Sequence, residues 1–200
     1  VPLVQPPVIR MLTTPEERRI HMEYREFRVS KTVRVLFPIL VTVIAGIIAP
    51  ISVGLIGSLM LGNLLRESGV VDRLSKSAQN ELANIVTLFL GIAIGSTMVA
   101  DRFLQPSTLF IILMGLVAFI FDTAGGVIFA KVLNLFLKRK VNPMIGAAGI
   151  SAFPMSARVI HKMGIEEDPT NYLLMHAVGA NVAGQVGSII AGAMILALIH

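Results

Sequence analysis

The sequence has 200 residues, of which 54% are hydrophobic and 14% are charged, and its mean hydropathy is +0.79. An ordinary soluble domain has about 25% charged residues, so this composition excludes one. The net charge of +5 comes from segments between apolar stretches, and the absence of a basic patch with interleaved aromatic residues excludes a nucleic-acid-binding protein. The chain has no cysteine, which excludes a disulfide framework.

The first 35 residues divide into an apolar and a polar segment. Residues 1–9 are apolar, and they predict the end of a transmembrane span whose beginning lies outside this sequence. Residues 10–35 form the one substantial polar block and contain more Lys and Arg than Glu. This block predicts a solvated, basic segment on the cytoplasmic side of a membrane.

Residues 36–200 form the predicted membrane domain, because their charged residues lie between long uncharged stretches. A helix needs about 20 apolar residues to cross the hydrocarbon core of a bilayer. The uncharged stretches therefore predict an all-α polytopic membrane protein with the following segments: a pair of short helices within 36–65 that turns near Ala49–Pro50, a span near 84–100, a longer span near 106–136, and a final span near 172–199.

The segment NPMIGAAGISAFPMSARVI, which starts at Asn142, does not suit a simple span. It is short, and Pro143 and Pro154 disfavour one continuous helix. Irregular backbone at membrane depth is tolerated only where protein buries it or water reaches it, and transporters build ion sites from such broken segments. We therefore predict a re-entrant helical hairpin at about 141–157. A solvated surface loop is the alternative, but it would not need the large apolar side chains of this segment.

The positions of the basic loops favour the same topology. With a re-entrant hairpin and a paired 36–65 segment, the loops that hold most of the Lys and Arg residues fall on one side, and Arg102 lies on the other. Basic loops are enriched on the cytoplasmic side of membranes. The pattern predicts that these loops are cytoplasmic.

Three polar residues within apolar surroundings are candidates for function. Asp122 is either a functional acid or a carboxylate near a helix end that is solvated or pairs with Lys131. Asn181 lies among small residues and provides either a hard oxygen ligand for an alkali cation or an interhelical hydrogen bond. Arg158 is either a cytoplasmic anchor or a group that binds a carboxylate.

The strings NPMIGAAGISAFPMSARV and NYLLMHAVGANVAGQVGS closely resemble the β subunit of the biotin-dependent, sodium-pumping decarboxylases of oxaloacetate, methylmalonyl-CoA and glutaconyl-CoA. The strings QPPVIRMLTT, GSLMLGNLLRESGVV and DTAGGVIFAKVLNLF also fit, so the resemblance covers nearly the whole chain. The β subunit of that family is longer and consists of inverted repeats. We expect the chain to correspond to its C-terminal half only, the second inverted repeat of a transporter-like fold.

The resemblance implies that the chain is part of an enzyme. The β subunit of this family decarboxylates carboxybiotin and couples this reaction to sodium export. Sodium ligands are implied at Asn142, Gly146, Ser151 and Asn181, and Arg158 is the implied catalytic and carboxybiotin-binding residue. The cofactors are then a sodium ion and biotin, which a partner subunit carries as carboxybiotin.

The resemblance also implies an environment and partners. These are a carboxyltransferase subunit, a biotin carrier subunit and a small membrane anchor subunit, with the chain itself a multi-pass homo-oligomer in the lipid bilayer of a cell inner membrane. The family's essential aspartate lies in a GGADGPT-like motif that is absent here, and Asp122 does not occupy that position. The alternative function is an ion-coupled carboxylate transporter with inverted repeats and re-entrant hairpins.

Overall fold

The computed structural model describes residues 1–23, 29–99 and 103–199. Within these ranges the chain contains helices and irregular segments and no strand. We number the helices α1 to α8 in chain order: Gln5–Leu12, Pro15–Arg18, Lys31–Ile48, Val53–Ser68, Asp72–Thr97, Pro106–Phe136, Met155–Glu167 and Leu174–Ile199. Arg102 and part of the predicted 10–35 segment lie outside the described residues.

Four of these helices, α3, α5, α6 and α8, are long and apolar enough to cross a membrane. Few of the residues in their most apolar windows are buried inside the protein, as expected for helices whose side chains contact lipid. This finding confirms an all-α chain with the character of a polytopic membrane protein.

One compact unit comprises residues 27–113 and 189–200. In it, α3 ends at Ile48, a 3₁₀ turn spans Pro50–Ser52, and α4 begins at Val53, so the chain breaks at the predicted position. The Ser52 hydroxyl donates to the Ala49 carbonyl at 2.6 Å and stabilises this turn. Helices α3 and α4 pack against each other as a hairpin.

The second compact unit comprises residues 1–26 and 114–188, and it contains all the candidate site residues. Its hydrophobic core surrounds a 3₁₀ helix at Pro143–Ala148 rather than a long span. Side chains from α1, α6, α7 and the start of α8 converge on this helix, with the buried members Ile9, Val127, Met144, Ile145, Ala147, Ala148, Ala157, Ile160, Met163, Leu173 and Ala177. The short Pro143–Ala148 segment is therefore the best-packed part of this unit.

The amino-terminal segment packs against this core. In α1, which has Pro6 and Pro7 in its first turn, Gln5 and Ile9 are fully buried. In the following segment the guanidinium of Arg18 bonds to the Glu167 carboxylate at 2.6 Å. Ion pairs of Arg10, Arg18 and His21 thus connect residues 10–23 to the end of α7 and to Asp168.

Candidate functional site

The segment after Asn142 is broken. The 3₁₀ helix Pro143–Ala148 is followed by irregular residues 149–154 and then by α7. The two prolines explain this pattern: Pro143 lies at the first 3₁₀ position, where its missing N–H is harmless, and Pro154 immediately precedes α7. The second arm, which we predicted to end near residue 157, continues to Glu167.

Two buried asparagines hold the ends of this broken segment at one point. The side-chain amide of Asn142 donates to the Ile20 carbonyl at 3.0 Å, and that of Asn171 donates to the same carbonyl at 2.9 Å. Asn142 also donates to the Arg18 carbonyl at 2.7 Å, and its oxygen accepts from the Met144 N–H at 3.1 Å. Residues 142–171 therefore leave the 18–22 loop and return to it, so they form a hairpin.

Two glycine pairs hold the tip of the hairpin close to its neighbouring helices. Gly146 lies against Gly126 of α6, where a Cβ added to Gly146 would meet the Gly126 carbonyl and lie 2.9 Å from the Ala130 Cβ. Gly149 lies against Gly184 of α8, where a Cβ added to Gly184 would meet the Gly149 carbonyl. Small residues allow such close approach between backbones in membrane proteins. The 3₁₀ helix thus contacts α6, and the first residue of the irregular segment contacts α8.

Asn181 of α8 is fully buried beside the break. Its side-chain amide donates to the Ala148 carbonyl at 2.9 Å and to the Ile150 carbonyl at 2.5 Å. Its oxygen Oδ1 is also buried but accepts no hydrogen bond from the described residues. A buried acceptor without a partner costs about 1–3 kcal/mol, so a cation ligand at this oxygen would be stabilising.

Gln5 forms a second buried polar cluster with residues on both flanks of the irregular segment. Its amide nitrogen donates to the Ala147 carbonyl at 2.9 Å and to the Ser156 hydroxyl oxygen at 2.8 Å. The Ser156 hydroxyl is 3.1 Å from Gln5 Oε1 and 3.2 Å from the Ala147 carbonyl oxygen, either of which can accept its proton. All three residues are fully buried.

Ser151 and Arg158 are exposed. Ser151 directly follows Ile150, whose carbonyl accepts from Asn181. Arg158 lies near the start of α7, and within the described residues its side chain forms no ion pair. At a rise of about 1.5 Å per residue, Arg158 is roughly 13 Å along the helix from Glu167. Its position is therefore at the tip end of the hairpin, whereas the sequence placed it just beyond the second arm.

The possible pairing of Asp122 with Lys131 does not form. The Lys131 ammonium instead lies 3.0 Å from a carboxylate oxygen of Glu17 and donates to the Leu12 carbonyl at 3.1 Å. Burial alone would raise the pKa of Glu17, but hydrogen bonds from the Thr14 backbone N–H and from Lys131, together with the charge of Lys131, hold that pKa below its usual value. Asp122 is exposed.

The structure places the sequence-predicted sodium ligands along the broken segment. Asn142 caps the start of the 3₁₀ helix and bonds to the Arg18 and Ile20 carbonyls, Gly146 packs on α6, and Asn181 donates to carbonyls at the break. Convergence of Asn142, Ser151 and Asn181 on one ion stays a prediction. The sequence analysis missed Gln5 and Gly126. A signal existed for Gln5, since it is the one polar residue in the apolar stretch 1–9.

Comparison with known proteins gives a match along the chain. The model of the family described as Na⁺-transporting oxaloacetate decarboxylase beta subunit matches residues 1–199. The chain is 53% identical over 196 residues to oxaloacetate decarboxylase beta chain 2 of Salmonella typhi, a match that covers 98% of this chain and 45% of that protein. It is 50% identical over 199 residues to methylmalonyl-CoA decarboxylase subunit beta of Veillonella parvula, covering 100% of this chain and 53% of that protein.

The chain spans about half the length of the curated relatives it matches. The expectation that the resemblance concerns the C-terminal half only is wrong, because the family match extends along the whole chain from residue 1 to residue 199. The resemblance to the family itself is confirmed.

Proposed function

Because the chain belongs to the family of the beta subunits of Na⁺-transporting oxaloacetate decarboxylases, we propose that it acts in the membrane subunit of a sodium-translocating, biotin-dependent decarboxylase. This activity couples the decarboxylation of carboxybiotin to sodium export. The observation that carries the proposal is the buried, unpartnered oxygen of Asn181 beside a broken membrane segment.

The sodium site lies at this break. Sodium is a hard cation that prefers neutral carbonyl and hydroxyl oxygens or carboxylates, and Asn181 Oδ1 is an available oxygen of that kind. Asn142 Oδ1 accepts one hydrogen bond and keeps a second lone pair. Ser151 adds a hydroxyl next to the carbonyl of Ile150, and Gly146 lets the backbone approach its neighbour closely. We assign Gly146, Ser151 and Asn181 to sodium binding at the break, and Asn142 to sodium binding at the start of the 3₁₀ helix.

The broken segment is a re-entrant hairpin that opens to the cytoplasm. The shared Ile20 carbonyl supports this topology, because the two ends of one membrane hairpin must lie on the same face. Two ion pairs, Arg18–Glu167 and Lys131–Glu17, hold the 10–23 segment against the end of α7 and the second half of α6. The 10–23 segment belongs to the basic block that we assigned to the cytoplasm. We also propose that the chain forms one repeat of an inverted-repeat transporter fold.

Arg158 binds the carboxylate of carboxybiotin. Carboxybiotin supplies a carboxyl group that leaves as CO₂ while a proton replaces it on the biotin nitrogen, and this step releases free energy for transport. The guanidinium of Arg158 is exposed and has a planar, bidentate geometry that matches a carboxylate. Its place at the tip end of the hairpin brings the carboxylate site near the sodium site. Moving one charge across a membrane potential requires about 2.3 kcal/mol per 100 mV, so the two sites must be coupled.

The partners follow from the same proposal. A carboxyltransferase subunit and a biotin carrier subunit supply the carboxyl group, a small membrane anchor subunit completes a homo-oligomeric complex, and the complex lies in the cell inner membrane. Affinity purification of the intact protein should recover a biotinylated carrier and a carboxyltransferase. Recovery of the protein with neither, under conditions that preserve membrane complexes, contradicts this assembly.

The sodium site is tested with a pair of buried asparagines. We expect Asn181→Ala, in the intact complex, to raise the sodium concentration that gives half-maximal decarboxylation by roughly 10-fold or more, since a bond to a charged group contributes about 1.5–3 kcal/mol. Asn171→Ala is the control, because Asn171 is equally buried but its oxygen already accepts from the Met22 N–H at 3.1 Å. Both substitutions should lower thermal stability, and Asn181→Ala alone should shift the sodium dependence. An equal shift in both variants would remove Asn181 from the site.

A further inference from the structure

We propose that Gln5 is a positioning residue for the sodium site, which it serves by fixing the Ala147 carbonyl next to the Ala148 carbonyl that accepts from Asn181. This inference rests on the proposed function. It assigns a role to an amino-terminal residue that contributes no ligand itself.

The geometry ties Gln5 to both sides of the break. Ala147 belongs to the end of the 3₁₀ helix and Ser156 belongs to the first turn of α7. The single amide nitrogen of Gln5 donates to both, at 2.9 Å and 2.8 Å. Gln5 therefore joins the two arms of the hairpin across its irregular segment.

The next link leads from Gln5 to the candidate ion ligand. Ala147 and Ala148 are consecutive, and the Ala148 carbonyl accepts from the Asn181 amide at 2.9 Å. Gln5 and Asn181 thus bond to adjacent carbonyls of one short backbone segment. If the Ala147 carbonyl turns, the Ala148 carbonyl moves with it. The Asn181 amide must then rotate to keep its hydrogen bonds, and the unpartnered Oδ1 rotates with it.

Burial explains why a glutamine stands at this position. A fully buried amide is unfavourable unless its donors and acceptor are bonded, and here both the nitrogen and the oxygen of Gln5 have partners. An apolar side chain of equal size would fill the same space with no bond to the Ala147 carbonyl. Gln5 is therefore needed for its hydrogen bonds to the Ala147 carbonyl and the Ser156 hydroxyl, rather than for the space that it fills.

The test uses Gln5→Met in the intact complex, because methionine keeps the size and removes the amide. We expect the half-saturating sodium concentration to rise roughly 2- to 30-fold, the range for mutations along a network of residues that couples two sites. The maximal rate at saturating sodium should remain close to that of the parent. Ser156→Ala, which removes one partner of Gln5 and leaves its bond to Ala147, should shift the sodium requirement in the same direction by less. Met11→Ala is the control, since Met11 lies on α1 and is 85% exposed.

The outcomes separate this inference from the function on which it rests. A parent complex whose decarboxylation needs no sodium contradicts the proposed function itself. If Asn181→Ala shifts the sodium dependence while Gln5→Met lowers thermal stability without a shift, Gln5 is only structural and this inference is wrong. If Gln5→Met does not assemble, Ser156→Ala decides: an unchanged half-saturating concentration in that variant overturns the inference.

Discussion

Gly126→Ala should destabilise the protein, whereas the same change at the preceding residue should not. The Cβ of an alanine at 126 would meet the Gly146 carbonyl and lie 2.8 Å from the Gly146 carbonyl carbon and 3.3 Å from the Ala147 nitrogen. These atoms are backbone, so they cannot move aside as a flexible side chain does. At Gly125 an added Cβ has no atom within 4 Å. The two positions share one helix and differ in this contact.

The magnitude follows from two opposing contributions. Replacing glycine by alanine within a helix stabilises by about 0.5–1 kcal/mol, and this gain is common to both variants. Overpacking typically costs about 1–3 kcal/mol, and this cost arises at Gly126 alone. The difference between the two variants should therefore be about 1–3 kcal/mol, which corresponds to melting temperatures roughly 2–12 °C apart for a domain of this size.

The assay compares thermal unfolding of the two purified variants in the same detergent, followed by the sodium dependence of decarboxylation in the intact complex. Gly126→Ala should also weaken sodium binding, because the displaced 3₁₀ helix carries the Ala148 carbonyl that Asn181 holds. Equal melting temperatures for the two variants would refute the close backbone contact between α6 and the hairpin. A large loss of stability in Gly125→Ala would refute the open space beside that residue.

Two further predictions concern charged groups. Arg158→Lys should impair turnover severely while the complex still assembles, because lysine keeps the charge but loses the planar guanidinium that binds a carboxylate in bidentate fashion. Arg19→Lys is the control and should leave turnover unchanged. Near-normal decarboxylation by Arg158→Lys would show that Arg158 is only an anchor. Because the pKa of Glu17 is lowered in the folded protein, its ionised form stabilises the fold above the ordinary carboxyl pKa and this contribution is lost as pH falls through the lowered value. Glu17→Gln should thus lower the melting temperature at neutral pH, and the difference from the parent should vanish in strong acid, while Glu16→Gln at an exposed neighbouring position should have little effect at either pH.

The sequence alone determined the class of the protein and the position of its breaks. Long uncharged stretches that cross a bilayer form helices, because a helix provides each backbone N–H and C=O with a hydrogen-bond partner within the segment. Proline has no backbone N–H to donate within a helix, and Pro50, Pro143 and Pro154 lie at observed interruptions, although Pro38 lies within the continuous helix α3. The string from Asn142 to Arg158 carried the resemblance that the family match confirmed.

Tertiary structure alone decided how these pieces meet. Nothing in the local pattern of residues 1–9 shows that Gln5 bonds to Ala147, since that contact joins residues far apart in the chain. Likewise, the sequence left open whether Lys131 pairs with Asp122, but one continuous helix holds these residues roughly 13 Å apart along its axis, and folding brings Glu17 to Lys131. Among the described residues, the Asn181 oxygen Oδ1 has no hydrogen-bond partner because none of the segments packed around it places a donor there. Helix positions follow from local composition and backbone chemistry, whereas the partner of each buried polar group depends on which segments pack around it.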